Sequence, residues 1–170
     1  MRFHRKYIIR AVILLPVLLG VIYFWYRVPW EFHKEFEGIY YKLGDPYFSE
    51  KVTIRFDGYL QRGVWQEDVF DGKLQIGVKE MHVILHIPED GPTALMYQFN
   101  SILGMYGFLY TKDIKKGFTI LVFENDDTEA NNSSQSARDW YMISAPADNR
   151  SEAMELSKKF ADPILLEGSK

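Results

Sequence analysis

The residues best equipped for chemistry are two histidines four positions apart, His82 and His86. On a helix that spacing puts both imidazoles on one face, where they can share a metal ion. Here they stand in MHVILHI (Met81–Ile87), where apolar and polar residues alternate with the period of a strand. Four strand residues at about 3.3 Å each separate them by roughly 13 Å, too far for one ion. His33 lies far upstream, and no metal-ligand spacing is present. With no Cys in 170 residues, disulfides, zinc-thiolate sites and thiol catalysis are excluded together.

Other chemistries fare no better. No serine stands in the G-x-S-x-G context that presents a nucleophile. Neither G-x-G-x-x-G nor a Walker sequence occurs, so no nucleotide cofactor is expected. Glu124, Asp126, Asp127 and Glu129 are acidic but lack the spacing of a calcium loop. A pair of carboxylates stays open, because their approach is a three-dimensional matter. No catalytic residue, cofactor or metal ligand is therefore expected from the pattern. What stands out is aromatic content: eleven Tyr, twelve Phe and four Trp. Tyrosines facing outward from a sheet, here Tyr59, Tyr97 and Tyr106 with Arg62 among them, form a candidate binding surface.

The elements that would position these residues begin with an apolar stretch, Ala11–Tyr26, free of charged and amide side chains. At about 1.5 Å per residue it gives about 24 Å of helix. Extension to Tyr7 reaches the span of a bilayer if Arg10 snorkels to the headgroups. Pro16 is tolerated in a membrane helix, and Trp25 and Trp30 fit an aromatic belt at its far end. The basic start, Arg2, Arg5, Lys6 and Arg10, orients the N-terminus to the cytoplasm. The exit YFWYRVPW offers no small-x-small pair, which favours an uncleaved signal anchor over a cleaved signal peptide. The expectation is a single-pass cell-membrane protein: tail 1–6, transmembrane anchor 7–26, juxtamembrane linker 27–35 and an extracytoplasmic β-rich domain 36–170. The first thirty residues hold five of the 20 basic residues and none of the 23 acids, so the remainder carries −8. That balance speaks against nucleic acid as a partner.

β signals dominate from Phe36. GIYYKL (38–43), KVTIRFD (51–57), Met81–Ile87, Phe118–Glu124 and Trp140–Ser144 read as strands. Asp57-Gly58 and Asp71-Gly72 read as type I′ hairpin turns, and FDGYLQ and FDGKLQ recur as either similar hairpins or a duplication. Thr93–Thr111 is uncharged over nineteen positions. It reads as two buried strands joined near Asn100-Ser101 in preference to a second membrane span. Glu124–Asp139 reads as a polar loop containing sequons at Asn131 and Asn132. Asn149 and Glu152 form a capping box for a final helix with Ala153, Leu156 and Phe160 on one face and Pro163 as its stop. The fold class expected is α+β: an N-terminal transmembrane helix, a mainly antiparallel sandwich or roll, and one C-terminal helix.

KVTIRFDGYLQRGVW, KDIKKGFTILVFE and YMISAPADNRSEAMELSKKF together resemble small signal-anchored extracytoplasmic proteins of Gram-positive Bacilli. The resemblance implies an envelope location and supplies no catalytic residue. The function expected is a binding module of the cell envelope, its partner another membrane protein or a cell-wall component. The alternatives are an envelope enzyme with a carboxylate site and a barrel-like carrier of an apolar ligand with Ile102, Met105 and Phe108 lining a hollow interior.

Overall fold

The computed structural model describes residues 2–63, 67–89, 91–99, 102–123 and 140–161. Helix α1 (Arg2–Arg27) runs into eight strands and a closing helix. The strands are β1 (Trp30–Lys42), β2 (Ser49–Gln61), β3 (Asp68–Ile76), β4 (Lys79–Ile87), β5 (Pro92–Phe99), β6 (Ile102–Asp113), β7 (Gly117–Val122) and β8 (Tyr141–Ala145), and the helix is α2 (Arg150–Phe160). All neighbouring strands are antiparallel, in the order β4-β3-β2-β1-β8-β7-β6-β5. The architecture is a nearly closed barrel, not the expected sandwich or roll. Among the described residues no backbone ladder joins β4 to β5, but the Thr93 hydroxyl donates to the His86 carbonyl at 2.7 Å across that seam.

Alternation along each strand decides which residues fill the barrel. In β4, Met81, Val83, Leu85 and Ile87 are buried while the residues between them are exposed. An eight-stranded barrel has a bore that side chains can fill. Here phenylalanines fill it: Phe56 meets Phe70 and Phe118 edge-on, each at 5.4 Å between centroids, and Phe36 at 6.2 Å. Such perpendicular contacts set the positive edge of one ring against the negative face of another.

The outward-facing Ile39, Tyr41, Leu121 and Met142 form a second cluster under α2 with Ala153, Leu156 and Phe160, the helix face expected from the sequence. The capping box forms: the Asn149 side chain accepts from the Glu152 amide at 3.1 Å, and the Glu152 carboxylate accepts from the Asp148 amide at 2.9 Å. Thr93–Thr111 supplies parts of β5 and β6, and the expected join at Asn100-Ser101 lies outside the described residues. The polar loop 124–139, its sequons and Pro163 lie outside the described residues.

Two expectations are corrected. Asp57-Gly58 and Asp71-Gly72 are not turns. They lie mid-strand and face each other, Gly58 opposite Gly72, with Phe56 opposite Leu74 and Leu60 opposite Phe70. The two FDG-x-L-Q segments thus pair with each other, antiparallel, about a local two-fold at the glycines. A Cβ on Gly58 would lie 2.3 Å from the Asp71 carbonyl oxygen, and one on Gly72 2.4 Å from that of Asp57. The strands approach too closely for any side chain, which is a use of glycine inside a strand that resembles turn chemistry in sequence. The actual β3–β4 turn is Gly77-Val78, with Gly77 at φ +57.

The other correction concerns α1. Among the described residues no helix is long and apolar enough to cross a membrane. The transmembrane helix, signal anchor, single-pass topology and cell-membrane localisation expected from the sequence are overturned on that finding. The physical reason lies at Arg10: the uncharged run begins after it and gives only about 24 Å against the roughly 30 Å required. Pro16 lies within α1, Trp25 is 81 % exposed, and the side chain of Arg10 is outside the described set. Residues 30–35, read as linker, are the first half of β1 and pair with β2.

Replacing Gly72 with alanine forces a methyl group against a paired backbone. Urea unfolding of Gly72→Ala is expected to show a loss of about 1–3 kcal/mol, the usual cost of overpacking.

Candidate functional site at the mouth of the barrel

One end of the barrel is open. There the end of β3, the start of β4 and the facing segments of β5, β6 and β7 surround a cavity of about 470 Å³. Its wall is made of Tyr40, Val52, Ile76, Tyr97, Met105, Tyr106, Val122, Phe123 and Ile143, with Gly77, Val78 and Lys79 at the rim. Lys79 carries the only charge among these lining residues. It occupies the same strand phase as Met81 and Val83, so its stem is directed toward the mouth. Its ammonium stands 5.1 Å from the Tyr97 ring centroid and 4.8 Å from that of Tyr106. Two aromatic faces thereby hold one cation at the edge of an apolar hollow. Tyr97 also packs against Gly104, where a Cβ would lie 2.4 Å from its ring, so that glycine makes room for the phenol. Burial pushes the Tyr106 hydroxyl up to about 12, so it is a neutral donor at physiological pH.

The sequence-derived candidates divide between opposite ends and faces. Tyr97 and Tyr106 come together, but in the mouth and not on an outward sheet surface. Tyr59 is 55 % exposed on the outer face of β2. Arg62 lies at the far end of the barrel above Trp30, 5.2 Å from its ring. Of the residues expected to line a hollow interior, Met105 lines the mouth, while Phe108 packs outward against Phe123 at 5.5 Å. The side chain of Ile102 is outside the described set. Lys79 was not singled out by sequence reasoning. The signal for Lys79 was its phase, a charged residue in register with the buried positions of an alternating strand.

Other clusters are structural. His82 faces Asp71 at 3.5 Å and His86 faces Glu67 at 3.9 Å, both on the outer surface. Among the described residues no group of three or more His, Asp or Glu is placed to hold a metal ion. Glu35, Glu37 and Glu152 border a shallow hollow, yet Glu35 binds Arg55, Glu37 accepts from Thr53 and Glu152 caps α2. Under α2 a chain of hydroxyls runs Thr119–Ser144–Ser157–Tyr41, with Thr119 to Ser144 at 3.0 Å and Ser144 to Ser157 at 2.8 Å. Tyr41 is fully buried and burial raises its pKa, opposed by the hydroxyls of Ser157 and Ser144 and by Arg150. None of the four hydroxyls is open to a substrate, and together they satisfy one another beneath the helix.

The fold and its mouth thus define a small antiparallel β-barrel with an aromatic, singly charged opening. Comparisons with protein-family models, with curated proteins and with solved structures found no match for this chain.

Tyr106 gives this site a pH signature. Below about pH 10 the phenol is neutral in both folded and unfolded chains. Between pH 10 and about 12 only the unfolded chain ionises there, so stability falls across that window. Denaturant unfolding as a function of pH is expected to show this decline, and Tyr106→Phe is expected to flatten part of it. Tyr41, also raised, accounts for a decline of the same sign that remains.

Proposed function

We propose that the protein is a non-enzymatic barrel that binds a small amphipathic ligand at its mouth. The ligand has an apolar or aromatic body and one acidic group. The observation that carries this reading is the aromatic hollow with Lys79 poised over Tyr97 and Tyr106. Its volume falls in the range of small-molecule pockets, about 300–1,000 Å³, which are apolar with a few convergent polar groups. The middle of the barrel is filled by phenylalanine and aliphatic side chains. An acid at Lys79 would exchange cation–π contact for a charge-assisted hydrogen bond.

Fluorescence titration with a dansyl-labelled fatty acid tests the reading. Saturable one-to-one binding is expected. Met105→Trp should abolish it by filling the hollow. Lys79→Met should weaken it about tenfold while leaving binding of the corresponding alcohol unchanged. Binding that survives Met105→Trp would place the ligand elsewhere and defeat the proposal.

A second reading, a module that docks a partner protein, is supported by α1. Its large apolar residues described between Val12 and Tyr26 are 44–81 % exposed. Apolar surface of this extent on a folded chain marks an interaction site. Photo-crosslinking in cells from Trp25 is expected to give one dominant protein adduct, with Tyr59 as a second probe on the sheet. Absence of any specific adduct at Trp25 would remove this reading.

A further inference from the structure

The opposite end of the barrel gathers cations. A basin of about 510 Å³ is bordered by Tyr26, Arg62, Lys112, Lys115, Lys116, Lys159 and Phe160, with Asp68 and Asp113 as its acids. Both acids accept from loop amides, Asp68 from that of Gly63 at 3.0 Å and Asp113 from that of Lys115 at 3.0 Å. Asp113 also meets the Lys116 ammonium at 3.4 Å. Five basic side chains border the basin against two acids, although the chain as a whole carries −3.

Two of these cations stack on the Trp30 indole. The Lys115 ammonium stands 4.3 Å from that ring and the Arg62 guanidinium 5.2 Å from it, so two like charges share one aromatic platform. Arg62 also lies 5.7 Å from Tyr26, and the Lys34 ammonium donates to the Lys115 carbonyl. Among the described residues neither Arg62 nor Lys115 has a carboxylate within ion-pair distance. Cation–π contact holds each charge in place but does not neutralise it. Like charges assembled this closely repel one another unless an anion lies between them.

We propose that this basin binds a compact multivalent oxyanion, the phosphate or pyrophosphate group of a small phosphorylated molecule. Arg62 offers a planar fork suited to two oxygens, and Lys115 and its neighbours offer point charges. The Trp30 and Tyr26 rings form an apolar platform beside them. Burial first, and then the Arg62 charge, lowers the pKa of Lys115, opposed by Asp113 and Asp68. The site is independent of the ligand proposed for the other mouth.

The test is isothermal titration of the full chain with inorganic pyrophosphate at fixed ionic strength. A saturable one-site isotherm is expected. Arg62→Gln and Lys115→Met should each weaken it about tenfold or more. Lys158→Gln, exposed on α2 outside the basin, should change nothing. Should either basin variant fail to fold, Lys159→Gln reads the same loss from an exposed position. Heat that does not saturate, equal response to sulfate, or affinity unchanged in the basin variants would overturn the proposal.

Discussion

The bore of the barrel is set by the edge-to-face packing around Phe56. Its ring meets those of Phe36, Phe70 and Phe118 edge-on and that of Phe32 at a 53° tilt, partners drawn from β1, β3 and β7. Perpendicular rings fill volume on all sides without the voids that stacked rings would leave at the wall. The glycine pair at Gly58 and Gly72 follows from this constraint. Two strands carrying Phe56 and Phe70 approach closely where their side chains turn inward, and no Cβ fits at the crossing. With the middle of the barrel solid, anything the protein binds in its interior must enter at one of the two ends.

The ends differ in chemistry because strand phase carries through to the last residue. At one end Lys79 continues the inward row of Met81 and Val83. At the other, Lys34 lies in phase with Phe32 and Phe36, and Arg62 directly follows the end of β2. Charges that would be costly at the centre are tolerated at the rims, where long stems lie along aromatic rings and the heads reach solvent. One rim thus combines apolar wall with a single cation, and the other combines several cations with an aromatic floor.

Local patterns in the sequence were read well where one element sufficed. Alternation in Met81–Ile87, the capping box at Asn149 and Glu152, and the two strands within Thr93–Thr111 each correspond to an observed feature. Misreadings arose where the same residues serve two physical ends. Asp-Gly is favoured in tight turns, and glycine is equally required where strands cross closely, so Asp57-Gly58 and Asp71-Gly72 could not be separated by composition. Tyr97 and Tyr106 were taken as outward because period two does not say which face closes on itself; only barrel closure decides that. The basin was hidden because Arg62 and Lys115 are more than fifty positions apart, and nothing local announces that they share Trp30.

The strand order has a mechanical consequence. β1–β4 and β5–β8 are two four-stranded meanders; among the described residues the four-residue β1–β8 ladder joins them on one side, and they face each other across the unladdered seam on the other. The molecule is built like a book, with β1 and β8 as its spine and β4 and β5 as the free edges of its covers. α2 is a splint along that spine: Ser157 reaches Tyr41 of β1 and Ser144 of β8, while Arg150 grips the Lys42 carbonyl at 2.9 Å. Opening of the barrel is therefore directed to the Thr93–His86 clasp, and the stiffness of the whole is concentrated in a short helix on the opposite side.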